Sequence, residues 1–262
     1  MKARALTIAG SDPGGGAGIQ ADLKTFAAAG VYGLSAITSV TVQDTRGFSG
    51  ALDMPPAVVA AQAEAALDDI GADAVKTGML ATAPVVKAVA SVLRARRVKK
   101  LVVDPVLASK SGRPLLEPRA VNALIKDLLP LALVVTPNAP EAGALTGIAV
   151  RDADSARKAA RAMRELGPAF VLLKGGHLDG PFCEDLLYDG RAFTVFRSPR
   201  VNTAHSHGTG CTLSAAIAAG LALGLELPRA VRRAKRYMDG AIRHAPGLGS
   251  GSGPLEHFWE GA

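Results

Sequence analysis

The amino-acid sequence predicts an α/β fold, with a mostly parallel central sheet covered by helices on both faces. Three observations carry this expectation. Apolar runs alternate with alanine-rich helical stretches over the first two thirds of the chain. The runs are continuous rather than alternating in polarity, as strands buried on both faces are. Each run stops at a polar or glycine-rich cluster, on the edge where open α/β sheets bind ligands.

The first strand is expected at residues 5–9 and ends at Gly10-Ser11-Asp12. A helix follows at 19–29, in which Ile19, Leu23 and Phe26 share one face at i, i+4 and i+7. The next strand, 34–42, ends at Gln43-Asp44 and leads to an alanine-rich helix at 56–69. The third strand, 72–76, ends at Lys76-Thr77-Gly78-Met79, before a helix at 83–96. The fourth, 101–104, ends at Asp104-Pro105, before a helix at 118–129. The fifth, 131–136, ends at Thr136-Pro137-Asn138, and a helix is expected at 152–166. The sixth, 170–174, ends at Lys174-Gly175-Gly176-His177. Beyond it, residues 185–188 and 191–196 flank Asp189-Gly190, a hairpin signal. Helices at 210–223 and 229–244 and a Gly/Ser/Pro-rich tail complete the chain. No linker, repeat or low-complexity tract interrupts it, so one domain is expected over residues 1–262.

Composition narrows the function. A chain of 262 residues that is 48% hydrophobic and 20% charged can bury a substantial core and is not disordered. Aromatics at 4% argue against a stacking platform for single-stranded nucleic acid. Lys and Arg exceed Asp and Glu, 30 to 23. The basic clusters at 94–100, 151–164 and 229–236 read as solvated helix faces and helix C-termini rather than a nucleic-acid footprint. The two cysteines, Cys183 and Cys211, exclude a disulfide scaffold and a cysteine-rich zinc site. The five histidines show no zinc-ligand spacing. The apolar stretch 5–10 is too short for a signal-peptide core, and the run 211–225 falls short of the ~20 residues of a membrane helix. A soluble, cytoplasmic protein without a membrane or nucleic-acid partner is expected.

The polar strand ends suggest one site along the sheet edge. Two glycine-rich loops open helices there. Gly16-x-Gly18-x-x-Ala21, with Asp44 closing the second strand, mimics a dinucleotide fingerprint, the other reading being a flexible turn. Gly208-Thr209-Gly210-Cys211 precedes an alanine-rich helix, where converging amides and the helix start seat a phosphate or an oxyanion. At that position Cys211 is either a thiol with a lowered pKa or a small residue packing the helix start. No Walker A motif is present; residues 71–76 come nearest, with Val75 where glycine is required. Asn138-x-x-Glu141 forms a capping-box pattern, and Glu141 is also placed to hold magnesium through water. Asp104 is a lone carboxylate whose simplest role is a turn or cap. Lys174 ends a buried strand, where an unpaired lysine is costly, so an anionic partner is expected.

These residues also form a pattern. Thr7-Ile8-Ala9-Gly10-Ser11-Asp12-Pro13, Gly18-Ile19-Gln20-Ala21-Asp22 and Val42-Gln43-Asp44-Thr45-Arg46-Gly47 resemble the hydroxymethylpyrimidine/phosphomethylpyrimidine kinases of thiamine biosynthesis. So do Val103-Asp104-Pro105-Val106 with Lys110-Ser111-Gly112, and Thr136-Pro137-Asn138-Ala139-Pro140-Glu141. Lys174-Gly175-Gly176-His177 and His207-Gly208-Thr209-Gly210-Cys211-Thr212 complete the set, in order, from about residue 5 to Phe258. The resemblance implies a ribokinase-like three-layer α/β/α fold and a homodimer. It implies that ATP phosphorylates 4-amino-5-hydroxymethyl-2-methylpyrimidine to the monophosphate, and a second ATP converts that to the diphosphate. Gly10, Asp22, Gln43, Met79 and Val106 would line the pyrimidine pocket, with Gln43 offering donor and acceptor to the ring. Asp104 and Glu141 would hold Mg2+ and the ATP phosphates, assisted by Asn138, and Lys174 would neutralise charge in catalysis. The amides of Gly208, Thr209, Gly210 and Cys211 would form the anion hole, and Cys211 would take the hydroxymethyl proton. The sequence departs from the pattern at Gly14, His205-Ser206, Ser250 and Ser252. An end at Ala262 is expected to leave no fused thiamine-phosphate synthase domain. The alternatives are a pyridoxal or pyridoxine kinase on the same scaffold and a non-catalytic pyrimidine-binding sensor.

Overall fold

Within the expected strands, neighbouring residues go to opposite faces of the sheet. Ala5, Ala74, Val102, Val134 and Leu172 join one apolar cluster, while Leu6, Val75, Val103, Val135 and Leu173 join another. The period of two along each strand therefore feeds two cores, which is why the runs carry no polar alternation. In the computed structural model, which describes residues 1–109, 112–177 and 180–260, the strands form one nine-stranded sheet. Lys110, Ser111 and the His177 side chain fall outside the described residues.

The strands are β1 (Arg4–Ser11), β2 (Tyr32–Asp44), β3 (Gly47–Asp53), β4 (Ala74–Thr77), β5 (Leu101–Val103), β6 (Val134–Val135), β7 (Phe170–Leu173), β8 (Phe182–Tyr188) and β9 (Phe193–Pro199). Their order is β3-β2-β1-β4-β5-β6-β7-β8-β9. β2 to β7 pair in parallel through β1, with antiparallel β3 at one edge and the β8–β9 hairpin at the other. Helices α1 (Gly18–Ala28), α7 (Thr209–Ala222) and α8 (Leu227–Arg243) cover one face through Phe26, Ile217 and Val231. Helices α2 (Pro56–Ala65), α3 (Ala83–Ala95), α4 (Pro118–Ala123), α5 (Ala139–Thr146) and α6 (Ala153–Glu165) contribute Val59, Val89, Ala120, Ala142 and Met163 to the other. Each fully buried Val, Leu or Phe contributes about 1.5–3 kcal/mol, so the two cores dominate stability.

The structure departs from the expected elements where local pattern is weak. β2 is 13 residues long because its far half leaves the core and pairs with β3, an unpredicted and largely exposed strand. The helix expected to 69 is α-helical only to Ala65 and then widens over Ala66–Ile70. The strand expected at 131–136 keeps only Val134 and Val135, because Leu129–Leu131 makes a tight 3-10 turn. The expected hairpin is present: the Asp189 carboxylate accepts the amides of Arg191 and Ala192 at 2.7 and 2.6 Å. Among the described residues, no helix is long and apolar enough to cross a membrane.

The tail folds back across the other end of the chain. Ser252 N donates to Thr45 O at 2.7 Å, tying residues 251–252 to the β2–β3 turn. His257 is buried beside α7, with Nε2 3.2 Å from Thr212 Oγ1. Burial, helped by Lys24, pushes its imidazole down to about 4. The folded value lies below the unfolded value of about 6.5, so stability is complete above that and is lost as pH falls toward 4. Lowering the pH from 7 to 5 is expected to remove about 2 kcal/mol through this residue. Denaturant titrations of wild type and His257→Gln at both pH values check this; an identical pH dependence in the two proteins refutes it.

Candidate active site

The carboxyl ends of the parallel strands open onto a cavity of about 1010 Å³. Sheet order arranges its walls. Gly10, Gln43 and Lys76, from β1, β2 and β4, and Met79, just beyond β4, lie toward one side; Ser198 and Asp239, from β9 and α8, and Arg200, just beyond β9, lie toward the other. Between them stand Asp104, Asn138, Glu141 and Lys174. The cavity thus collects Gly10, Gln43, Met79, Val106 and the four residues of the second glycine loop.

Lys174 is the centre of this arrangement. Its amide donates to Pro137 O at 2.8 Å, which fixes the residue against the end of β6. Its Nζ lies 2.9 Å from Asp104 Oδ1 and 3.9 Å from Glu141 Oε2. Burial alone would lower the ammonium, but Asp104 and Glu141 outweigh it and hold Lys174 well above the usual lysine value. Asp104 also accepts Thr136 Oγ1 at 3.1 Å and Ser214 Oγ at 3.2 Å. Burial works against its ionisation, yet Lys174 and then Lys76 hold it below the ordinary carboxylate range. Both readings of Asn138-x-x-Glu141 coexist. Asn138 Oδ1 accepts Glu141 N at 2.8 Å, Asn138 N donates to Glu141 Oε2 at 2.7 Å, and the same carboxyl faces Lys174. Burial pushes Glu141 up to about 7, with Lys174 pulling down and Asp104 pushing up.

The second glycine loop sits over this cluster. A Cβ on Gly210 would meet Lys174 Nζ at 3.1 Å and Asp104 Oδ2 at 3.8 Å. Thr209 N donates to Ser206 O at 3.5 Å and Thr212 N to Gly208 O at 2.8 Å, so it is the start of α7 at Gly210 and Cys211 that brings helix-terminal N–H groups to Lys174. Gly208 caps α7 at φ 82°, and a Cβ there would lie 1.7 Å from Gly16 O, so only glycine lets the two loops touch.

The first glycine loop is not a dinucleotide seat. Its amides are taken by Asp12, whose carboxylate accepts Gly14 N at 2.9 Å, Gly16 N at 3.0 Å and Ala17 N at 2.8 Å. Asp44, the would-be ribose partner, is exposed and bound to Arg46. Asp12 also reaches His207 Nε2 at 2.9 Å, clamping the first loop to the second. Sequence reasoning missed this clamp, whose partners lie 195 positions apart.

Two further expectations are corrected. Asp22 does not line the cavity: it sits behind Lys76, its Oδ2 accepting Thr7 Oγ1 at 2.6 Å and Lys76 Nζ at 2.7 Å. Lys76 forms the wall instead. Cys211 does not have a lowered pKa. Burial pushes the thiol up to about 11, Asp22 and Asp104 push the same way, and Lys76 and the Gly18 amide oppose them without prevailing.

The phosphomethylpyrimidine kinase family profile matches residues 12–256. The chain belongs to the phosphomethylpyrimidine kinase family. A hydroxymethylpyrimidine/phosphomethylpyrimidine kinase of Rhizobium meliloti is 52% identical over 262 residues, covering 98% of each chain. The thiamine biosynthesis bifunctional protein ThiED of Geobacter sulfurreducens is also 52% identical, over 97% of this chain, but the chain spans only 52% of that relative's length. The pyridoxal kinase of Staphylococcus aureus in complex with AMP-PCP and pyridoxal superimposes with a TM-score of 0.92 at 39% identity, covering 100% of this chain and 95% of that one. The fold is ribokinase-like.

As a phosphomethylpyrimidine kinase family member, the chain invites a test of its donor set for magnesium. Among the described residues, no group of three His, Cys, Asp or Glu converges. Asp104 has both oxygens engaged by Lys174, Thr136 and Ser214, which does not suit direct coordination. Glu141, beside Asn138, is a hard oxygen donor on the cavity wall, and it suits an ion that keeps most of its water shell.

Proposed function

We propose that this chain transfers a phosphoryl group from ATP to the hydroxymethyl oxygen of 4-amino-5-hydroxymethyl-2-methylpyrimidine, and then a second one to the resulting monophosphate. One observation carries the reading: Lys174, held between Asp104 and Glu141, lies beneath the glycine-loop amides on a cavity that also contains Gln43 and Met79. Phosphoryl transfer needs positioning and charge neutralisation more than covalent chemistry. Lys174 and the amides of Gly208, Thr209, Gly210 and Cys211 neutralise the transferred group. Gln43 bonds the ring, with Gly10, Met79 and Val106 around it. Asp22 acts behind Lys76 rather than on the substrate. Asp104 orients Lys174, and Asn138 orients Glu141. Magnesium, when bound, supplies further neutralisation of the ATP phosphates, with Glu141 holding it through water and Asp104 contributing charge. Cys211, in its thiolate form, takes the hydroxymethyl proton in the first transfer and becomes the neutral thiol.

The chain acts as a single kinase domain and a homodimer, in the cytoplasm. Exposed Val40, Val42 and Leu52 on the β2–β3 arm support the dimer as an apolar face, and the free Cys183 and Cys211 support a reducing compartment. The second reading, a pyridoxal kinase, is favoured by the close superposition on the Staphylococcus aureus enzyme. Coupled ADP-release assays with the free pyrimidine, its monophosphate and pyridoxal separate them. Turnover of both pyrimidines is expected. Turnover of pyridoxal alone overturns the choice, and ligand binding without turnover of any of the three supports a sensor.

A further inference from the structure

Lys76 acts by its charge on Asp104 and Cys211, yet neither it nor Asp22 touches the reacting groups in the transfers described above, and Lys76 borders the cavity. Lys76 is 0% exposed and forms part of the wall, at the end of β4 and three residues before Met79. Its Nζ comes within 2.9 Å of where a Cβ on Gly78 would stand, and that same Cβ would meet Ala9, the neighbour of Gly10, at 3.0 Å. Gly78 is buried there and does not line the cavity; what puts Lys76 on the acceptor side is its place in the same wall as Gly10, Gln43 and Met79. An ammonium has three N–H donors, and Asp22 Oδ2 takes one at 2.7 Å. Asp22 Oδ1 is buried with no hydrogen-bond partner. A buried ion pair is no more stabilising than well-packed apolar side chains of the same volume, so its placement on the wall calls for a use other than stability.

The two proposed transfers differ in what the acceptor side must tolerate. The first acceptor is a neutral alcohol. The second is a phosphate dianion that has to approach the γ-phosphate of ATP. Lys174 lies beneath the glycine loop and is already committed to Asp104 and Glu141. We propose that Lys76 binds the phosphate of the monophosphate acceptor in the second transfer, so that one cavity serves both a neutral and an anionic acceptor. This rests on the two-step reading. With the alcohol bound, the Lys76–Asp22 pair is neutral as a unit and leaves the alcohol's position undisturbed. With the phosphate bound, the remaining Lys76 donors meet its oxygens, while Asp22 keeps the ammonium in place and charged.

The test compares steady-state and single-turnover kinetics of the full chain with ATP and either the free pyrimidine or its monophosphate. Lys76→Met removes the charge. Asp22→Asn/Lys76→Met removes both charges and carries the test if the single variant folds poorly. A charge-assisted hydrogen bond corresponds to roughly a 10- to 100-fold effect. KM for the monophosphate is expected to rise by that factor more than KM for the free pyrimidine in both variants, and Lys76→Arg is expected to recover most of the difference. Equal changes toward both acceptors overturn the inference while leaving the two-step reading intact. A wild-type protein inert toward the monophosphate overturns both.

Discussion

Lys174→Met is expected to lower kcat/KM for both phosphorylations by ~10³-fold, the scale of losing a principal charge stabiliser in phosphoryl transfer. The effect is common to both steps because the transferred group is the same in each, whatever the acceptor. Among the described residues, the other cations of the wall stand elsewhere: Lys76 and Lys235 each face a carboxylate at 2.7 Å, of Asp22 and Asp185, and Arg200 lies toward β9. The single variant also leaves Asp104, 2% exposed, without its counter-ion, a change that destabilises by about 3–5 kcal/mol. Stability and chemistry are separated by Asp104→Asn/Lys174→Met, which removes both charges. Thermal melts of the double variant should approach wild type while kcat/KM stays low. Recovery of activity together with stability would show that Lys174 acts only in folding.

Cys211→Ala is expected to slow the first phosphorylation by ~10²-fold, the lower end of what a positioned base contributes, and the second by less than ~10-fold. The alcohol must lose a proton as its oxygen attacks; the monophosphate presents an oxygen that is already ionised. With the thiol pushed up to about 11 by burial, the thiolate is scarce at neutral pH. Its fraction grows tenfold for each pH unit below that value. The wild-type single-turnover rate of the first step should therefore climb with near-unit slope from pH 7 to 9, while that of the second stays flat. Equal losses in both steps, or a flat first-step profile, would reduce Cys211 to a lining residue of the anion hole. Paired with Lys76→Met, whose larger effect falls on the second step, the two variants should divide the reaction in opposite directions.

Function is most legible in the sequence where it sits on a strand end. Lys174 was legible because a lysine closing a buried apolar run demands an anion, and Asp104 and Glu141 are there. The same demand holds for Lys76 at the end of β4, but in sequence its partner Asp22 reads as a residue of the pocket rather than of the wall behind it. The first glycine loop misled for the opposite reason. Its spacing is that of a phosphate seat, but Asp12 takes up the amides, and Asp12 is fixed in turn by His207 from the far end of the chain. Local spacing says which amides converge and not what they converge on. β3 carried no signal because five of its seven residues are polar, small or glycine and it buries little. The thiol of Cys211 was misjudged because a helix start is visible in sequence, whereas two buried carboxylates brought in by α1 and β5 are not.

The meeting of the two glycine loops has a bearing on the order in which the molecule is completed during synthesis. β1 is an interior strand of the sheet and emerges first, yet α7 and α8, which cover its Ala5 face together with α1, emerge near the end. Until they do, the strands from β1 to β7 expose one apolar side, and the loop after β1 lacks the histidine that clamps it. A nascent chain released or stalled before residue 207 therefore presents a sticky, half-covered sheet and half a catalytic loop. Catalytic competence and protection from aggregation should thus arrive together, in the last fifth of translation, as one event rather than two.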